Sequence, residues 1–452
     1  YDIDTICPRE KYKYYSEYTK FLQSPSELEE VEQYVIDVVQ FVSSNRVFCW
    51  WRREKEYDSE GNSYLTEFLE MSKKAPFRVG SDDVLLKIYP SEDIIKKALR
   101  KYTDNNSSGG RELQFQKILG LLSSECRLRG NDLFQLAKEL IGKDCPDLTQ
   151  TSLGKIVDNL QLTHKLKRYS TLKFLPYFGT KGVTHPSTIN IFTPFALLGY
   201  LPKRKVNVKD TRVWEYIWTV LSWENPDLFK YWLDVLSDTI VNCHIRKDRL
   251  TVLRSKGQGT GKSCLCKLFA GLLGERYVTF FCSLDRVFSR FNAPACGKLV
   301  LWVDDVAASS KSDTQKLFAL ATAHKTTLEN KGEKPVILDE FSSLWLTSNF
   351  KQALYCTSED RRQQVFEASS CRKQNKVFFT ELHTEFKSMD CMKAWFDFLT
   401  TRNITKEFNP KHSNPPSKAR EETIHACMPM CHKFIYEYFQ PFDWPCRAVG
   451  TA

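Results

Sequence analysis

The chain has 452 residues, 65 Lys+Arg against 55 Asp+Glu, a formal net charge of +10 and 42% hydrophobic residues. At about 150 residues per domain, the length predicts two to three domains, and the hydrophobic content excludes global disorder. Apolar runs such as residues 299–303 fall far short of the roughly 20 residues of a membrane span, so no membrane partner is expected. The basic charge suits a nucleic-acid partner without demanding one.

Fifteen cysteines are spread irregularly along the chain. With no signal peptide at the start, they are expected to be reduced thiols in an intracellular compartment, nucleus or cytoplasm undetermined. His425, Cys427, Cys431 and His432 have the residue types of a zinc site. They lie so close in sequence that only a sharp chain reversal would bring all four to one ion, so packed, reduced side chains are expected instead.

Residues 1–103 read as an N-terminal domain of unassigned role. Within it, residues 26–44 repeat apolar positions at helical spacing, 47–51 read as a short strand, and 57–62 read as a turn. Residues 104–111, including DNNSSGG, form the clearest linker. Helices are expected at 113–124, 132–141 and 149–160, followed by basic Lys165-Leu-Lys-Arg-Tyr169 and a strand at 172–176. Paired helices with a basic two-strand tail give residues 112–180 the order of a winged-helix module. A helical spacer packing on the next domain is the other reading of this stretch. Residues 186–370 alternate helix and strand, which argues for an α/β domain with a mostly parallel sheet. Residues 371–452 read as a helical C-terminal segment.

The strongest chemical signal lies in the α/β region. Leu250-Thr-Val-Leu-Arg254 reads as a strand and runs into Gly257-Gln258-Gly259-Thr260-Gly261-Lys262-Ser263, with a helix expected from Cys264 to Leu273. Strand, glycine-rich loop and helix form the context of a P-loop, whose backbone N–H groups turn inward around a phosphate. Gly257, Gly259, Thr260, Gly261, Lys262 and Ser263 are therefore candidate nucleotide ligands. Lys262 would reach the β/γ-phosphates and Ser263 would hold Mg²⁺. Lys256 occupies the position where the loop pattern asks for glycine.

A second apolar run, 299–303, ends in Asp304-Asp305. Asp304 is the candidate Mg²⁺ ligand, and Asp305 the group that orients or deprotonates an attacking water. A third, Ser343-Leu-Trp-Leu-Thr347, ends in Ser348-Asn349, and Asn349 is a candidate sensor of the γ-phosphate. Asp360-Arg361-Arg362 follows. A guanidinium there suits the charge on a transferring phosphoryl group, presented to a neighbouring subunit.

Taken in order, Lys262-Ser263, Phe291-Asn292, Asp304-Asp305, Thr347-Ser348-Asn349 and Asp360-Arg361-Arg362 resemble superfamily 3 helicases. The likeness is to the branch found in poxvirus-type and phage primase-helicases. Ile189-Asn190-Ile191-Phe192, Asn225-Pro226-Asp227-Leu228 and Glu329-Asn330-Lys331-Gly332-Glu333-Lys334-Pro335 fit the same branch. The resemblance implies an AAA+-like ATPase fold using ATP and Mg²⁺, in a homo-oligomeric, hexameric ring translocating on single-stranded DNA, at forks or beside duplex. It implies a trans-acting role for Arg361 or Arg362, Arg361 favoured, and a pore hairpin at 325–334 where Lys331 and Lys334 contact DNA backbone phosphates. No His-x-His occurs, and Asp2-Ile3-Asp4 is the only tempting acidic pair for primase chemistry. A nickase or primase is thus expected only as a partner or an upstream domain. The functional expectation is an ATP-dependent replicative DNA helicase of a virus or mobile element. The alternative is a P-loop ATPase that remodels an RNA–protein or transposition complex without unwinding.

Overall fold

The structure is a computed structural model that describes residues 25–57, 63–73, 87–88, 151–179, 187–289, 293–307, 310–328, 336–357, 359–360, 362–411, 415 and 417–439. Two compact units divide it. One takes the described residues of Tyr1–Arg53, Glu67–Leu172 and His185–Ile189, the other those of Glu54–Thr66, Lys173–Thr184 and Asn190–Ala452. The linker at 104–111 and the helices expected at 113–124 and 132–141 lie outside the described residues.

The N-terminal unit begins with helix α1 (Pro25–Val38), strand β1 (Val39–Val42) and the parts of β2 (Val47–Tyr57) and β3 (Ser63–Ser72) outside residues 54–66. Helical spacing carries the sequence expectation through residue 44, but the chain leaves the helix at Val38. The four residues of β1 are all buried, and a β-branched, aromatic run buried on both faces favours strand. Helix α2 (Leu153–Leu162) and strand β4 (Lys167–Tyr169) also belong to the unit. β1 pairs with β2 antiparallel and with β4 in parallel. Val35, Val39 and Phe48 share one core with Ile156, Val157 and Leu160, so residues from both sides of the expected linker fold together. The expected two-strand wing is not a hairpin here. β4 joins β1, whereas Thr171–Lys173 belongs to a separate two-stranded sheet with Thr188–Asn190.

The second unit is built on β5 (Leu250–Arg254), β6 (Val278–Phe281), β7 (Val300–Val303), β8 (Ser343–Ser348) and β9 (Gln363–Glu367). Their spatial order is β6-β7-β8-β5-β9, and every neighbouring pair is parallel. β5, β7 and β8 are buried along their whole length. Strands covered on both faces read as unbroken apolar runs, which is why the sequence shows them plainly.

Helices α3 (Pro226–Val241), α4 (Cys264–Leu273), α5 (Lys311–Thr322), α6 (Lys376–Lys387), α7 (Met389–Thr401) and α8 (Lys418–Cys427) surround this sheet. Trp302 and Trp345 stack with ring planes 8° apart, and Phe269 of α4 packs on Trp345. Phe378, Leu382, Trp395, Phe396 and Leu399 of the C-terminal segment enter that same core. The segment after residue 370 therefore completes the α/β unit. No helix among the described residues is long and apolar enough to cross a membrane.

Among the described residues no three His, Cys, Asp or Glu side chains are grouped as metal ligands, and Cys427 makes local contacts. Its Sγ donates to Leu354 O and accepts from Cys356 N, and burial pushes the thiol above its ordinary range. No disulfide joins the described cysteines.

Candidate functional site

The register of the parallel sheet brings three chain segments to one edge. Leu346 lies beside Val303, and Ser348 lies beside Arg254. The residues that follow β5, β7 and β8 (Ser255, Asp304 and Asn349) therefore emerge side by side at the carboxyl ends of the strands. In open parallel sheets that edge is where ligands bind.

The loop from Ser255 to Ser263 crosses this edge. Gly259 and Gly261 have φ of +74° and +90°, the left-handed region that glycine reaches without steric cost. Lys256 has no such φ, so a side chain is tolerated at the position where the motif asks for glycine. Its ammonium is exposed and lies 3.9 Å from Glu367. Tyr216, fully buried, donates its hydroxyl to Gly261 O at 2.9 Å. Gln374 N donates to Gly259 O at 3.0 Å.

Lys262 is 9% exposed. Its Nζ donates to Ser255 Oγ at 2.6 Å and to Asn349 Oδ1 at 2.7 Å, with Gly257 O at 3.4 Å. Burial pulls its pKa below the ordinary lysine value, and Asp305 and then Asp304 pull it back up. The Asn349 amide is oriented by its two neighbours. Its oxygen accepts from Lys262 and its Nδ2 donates to Asp305 Oδ1 at 2.7 Å.

Asp304 is held from two sides. Ser263 Oγ donates to Asp304 Oδ1 at 2.9 Å, and Thr347 Oγ1 donates to the same oxygen. Thr347 Oγ1 also accepts from Asp305 N at 2.9 Å. Asp305 has φ +48°, a region aspartate enters more readily than most residues. That turn sends its exposed carboxylate toward Asn349.

Arg254, the last residue of β5, anchors the base of the loop. Buried, it pairs with Glu367 at 2.8 Å and with Glu422 of α8. Thr260 is buried too, and its hydroxyl has no hydrogen-bond partner among the described residues. Helix α4 starts beside the loop with Cys264 and Cys266, whose thiols burial pushes up to about 12. Burial of this kind disfavours the thiolate form that a nucleophile needs.

The structure thus brings Lys262, Ser263, Asp304, Asp305 and Asn349 together. It places Arg362 elsewhere. Arg362 O accepts from Leu250 N, at the opposite end of β5, and a five-residue strand spans roughly 17 Å. Its guanidinium sits over Phe318 at 4.8 Å and 3.9 Å from Asp360. A recess of about 630 Å³ opens at that edge, lined in part by Asp248, His324, Asp360, Arg362 and Lys411. Arg361, Lys331, Lys334, Phe291 and Asn292 lie outside the described residues.

Sequence reading assigned no role to Ser255, Thr347 or Tyr216. Thr347 stood within a recognised motif, and its position two residues before Asn349 on β8 was the available signal. Tyr216 is 45 residues from Gly261 and carries no local signature.

A substitution pair tests the loop geometry. At Gly261 a Cβ would meet the Phe379 ring at 2.7 Å, on a backbone at φ +90°. At Gly257 it would meet only the movable end of Lys373. Gly261→Ala is expected to destabilise the chain by about 1–3 kcal/mol in urea unfolding, and Gly257→Ala by clearly less. Equal effects would contradict the loop conformation.

Comparisons with known proteins agree with this architecture. A family of unknown function, DUF5906, matches residues 253–362, a span running from the end of β5 to the start of β9. No curated protein matches. Among solved structures, the apo C-terminal region of NrS-1 is similar, with a TM-score of 0.50, 17% identity and 68% of each chain covered. A second apo form of that region gives a TM-score of 0.50 and 18% identity over 67% of each chain. At such identities the likeness is one of fold.

Proposed function

We propose that the second unit is a P-loop ATPase of AAA+ type and that the chain works as an ATP-dependent helicase motor in replication of a virus or mobile element. One observation carries the reading. A loop lysine, an acidic pair and a strand-end amide, from three separate strands, form one hydrogen-bonded cluster at the carboxyl edge of a parallel sheet.

The roles follow from the contacts. Lys262 exchanges Ser255 and Asn349 for phosphate oxygens when a nucleotide enters. The backbone N–H groups of Gly257 to Gly261 line the phosphates. Thr260 contributes only through its main chain, because its side chain is buried. Asn349, relieved of Lys262, can hydrogen-bond the γ-phosphate or the attacking water, and Asp305 orients that water and takes its proton.

The Ser263 hydroxyl and Asp304 carboxylate, already 2.9 Å apart, are the hard oxygen donors that Mg²⁺ takes. When bound, that ion neutralises charge on the β- and γ-phosphates. Thr347 keeps Asp304 aimed at the same place.

Arg362 stands at the sheet edge remote from its own loop, half exposed. That placement supports a role toward a neighbouring subunit's nucleotide in a ring, shared with or replaced by Arg361. Lys331 and Lys334 are proposed DNA contacts, and single-stranded DNA the proposed track. The remodelling alternative is favoured by one observation: Ile337, on the Val336–Asp339 strand of the hairpin with Lys325–Leu328, is 63% exposed, as in a surface that grips protein.

The test is the ATPase rate of the whole chain with and without single-stranded DNA. Lys262→Ala is expected to reduce turnover by roughly 100-fold or more, and DNA to stimulate the wild type only. Unchanged turnover in Lys262→Ala would refute the site. Hydrolysis indifferent to DNA would favour the remodeller. A second prediction concerns shared sites. Arg361→Ala and Arg362→Ala should each be compared for ATP binding and turnover. The one acting in trans should bind ATP, lose turnover, and recover part of it when mixed with Lys262→Ala. If neither mixture recovers activity, no arginine of this pair acts across subunits.

A further inference from the structure

The glycine-rich loop is approached by a second ammonium that the cluster above does not use. Lys262 Nζ lies 3.4 Å from Gly257 O. From another direction, Lys373 Nζ occupies the space where a Gly257 side chain would be, 2.9 Å from an ideal Cβ. The first glycine of the loop is therefore flanked by two cations.

Lys373 belongs to the stretch between β9 and α6, which main-chain hydrogen bonds hold to the end of β5, to Val220 and to the loop. Ala368 N donates to Arg254 O at 2.8 Å, Ser369 N to Val220 O at 2.8 Å, and Gln374 N to Gly259 O at 3.0 Å. Gln374 takes φ +59°, and Asn375 caps α6 by accepting from Phe378 N. The backbone is thus pinned on either side of Lys373.

The neighbouring cations outside the cluster each face a carboxylate. Arg372 pairs with Glu215, and Lys256 approaches Glu367. Lys262 faces Asp305 and Asp304. Lys373 is exposed and has no ion pair and no hydrogen bond among the described residues. An anion held beside this glycine would be attracted by both ammoniums.

We propose that Lys373 is a second phosphate-binding cation, which closes on the β- and γ-phosphates of a nucleotide held by Lys262 and the loop. The proposal rests on the nucleotide-binding reading above and adds a ligand from outside the loop. It also gives α6 a link to nucleotide state, because the stretch that carries Lys373 leads directly into that helix.

The experiment is equilibrium dialysis of radiolabelled ATP and AMP with the full chain, its Lys373→Ala and Lys373→Arg variants, and Lys262→Ala. Losing one charge-assisted contact should weaken ATP binding roughly tenfold. AMP, which lacks both outer phosphates, should bind Lys373→Ala as it binds the wild type. Lys373→Arg should recover most of the ATP affinity, and thermal unfolding midpoints should match. If Lys373→Ala binds ATP like the wild type while Lys262→Ala does not, the proposal fails and the nucleotide site stands. It also fails if ATP and AMP weaken equally and arginine does not rescue, which would mark a structural role. A wild type that binds no ATP overturns both readings.

Discussion

The organising constraint of this molecule is the burial of the Lys262 ammonium without an ion pair among the described residues. A lysine taken out of water loses hydration that an attached carboxylate usually replaces. Here two neutral acceptors, Ser255 Oγ and Asn349 Oδ1, hold it, while the carboxylates of Asp304 and Asp305 act from further out. Burial still wins, leaving the pKa below the ordinary value. Such a cation is held in place yet under-compensated, which is the electrostatic condition for taking up an anion.

Much of the fold can be read as what makes that arrangement possible. The Ser255 end of β5 and the Asn349 end of β8 must be neighbours, and the sheet order makes them so. β7 lies on the far side of β8, so Asp304 reaches Ser263 across the end of β8, steadied by Thr347. Buried tryptophans from β7 and β8 stack beneath, giving the edge a rigid base. The C-terminal helices then close the site from outside. Phe379 of α6 abuts Gly261, and Glu422 of α8 reaches the buried Arg254 just before the loop.

What the sequence displayed and what it hid divide along a physical line. β5, β7 and β8 were legible because strands buried on both faces are continuous apolar runs. The acidic pair and Asn349 were legible because they interrupt those runs at the ends. The residues that hold these groups were not. Tyr216, Gln374 and Lys373 approach the loop from stretches 45 to more than 100 residues away, and no local pattern records a tertiary hydrogen bond. Residues 26–44 misled for the opposite reason. Val38-Val39-Gln40-Phe41-Val42 keeps an apolar content that either period can fit, and burial on both faces of β1 decided for strand. The placement of Arg362 at the remote edge also needed the structure, because eleven to thirteen residues after Asn349 is a spacing compatible with either edge.

The most direct measurement of the central claim is a calorimetric titration of the full chain with ATP and Mg²⁺, repeated with Lys262→Ala. The account predicts one nucleotide site per chain in the wild type and its loss in the variant. Wild-type-like binding by Lys262→Ala, or no binding by the wild type, would contradict it.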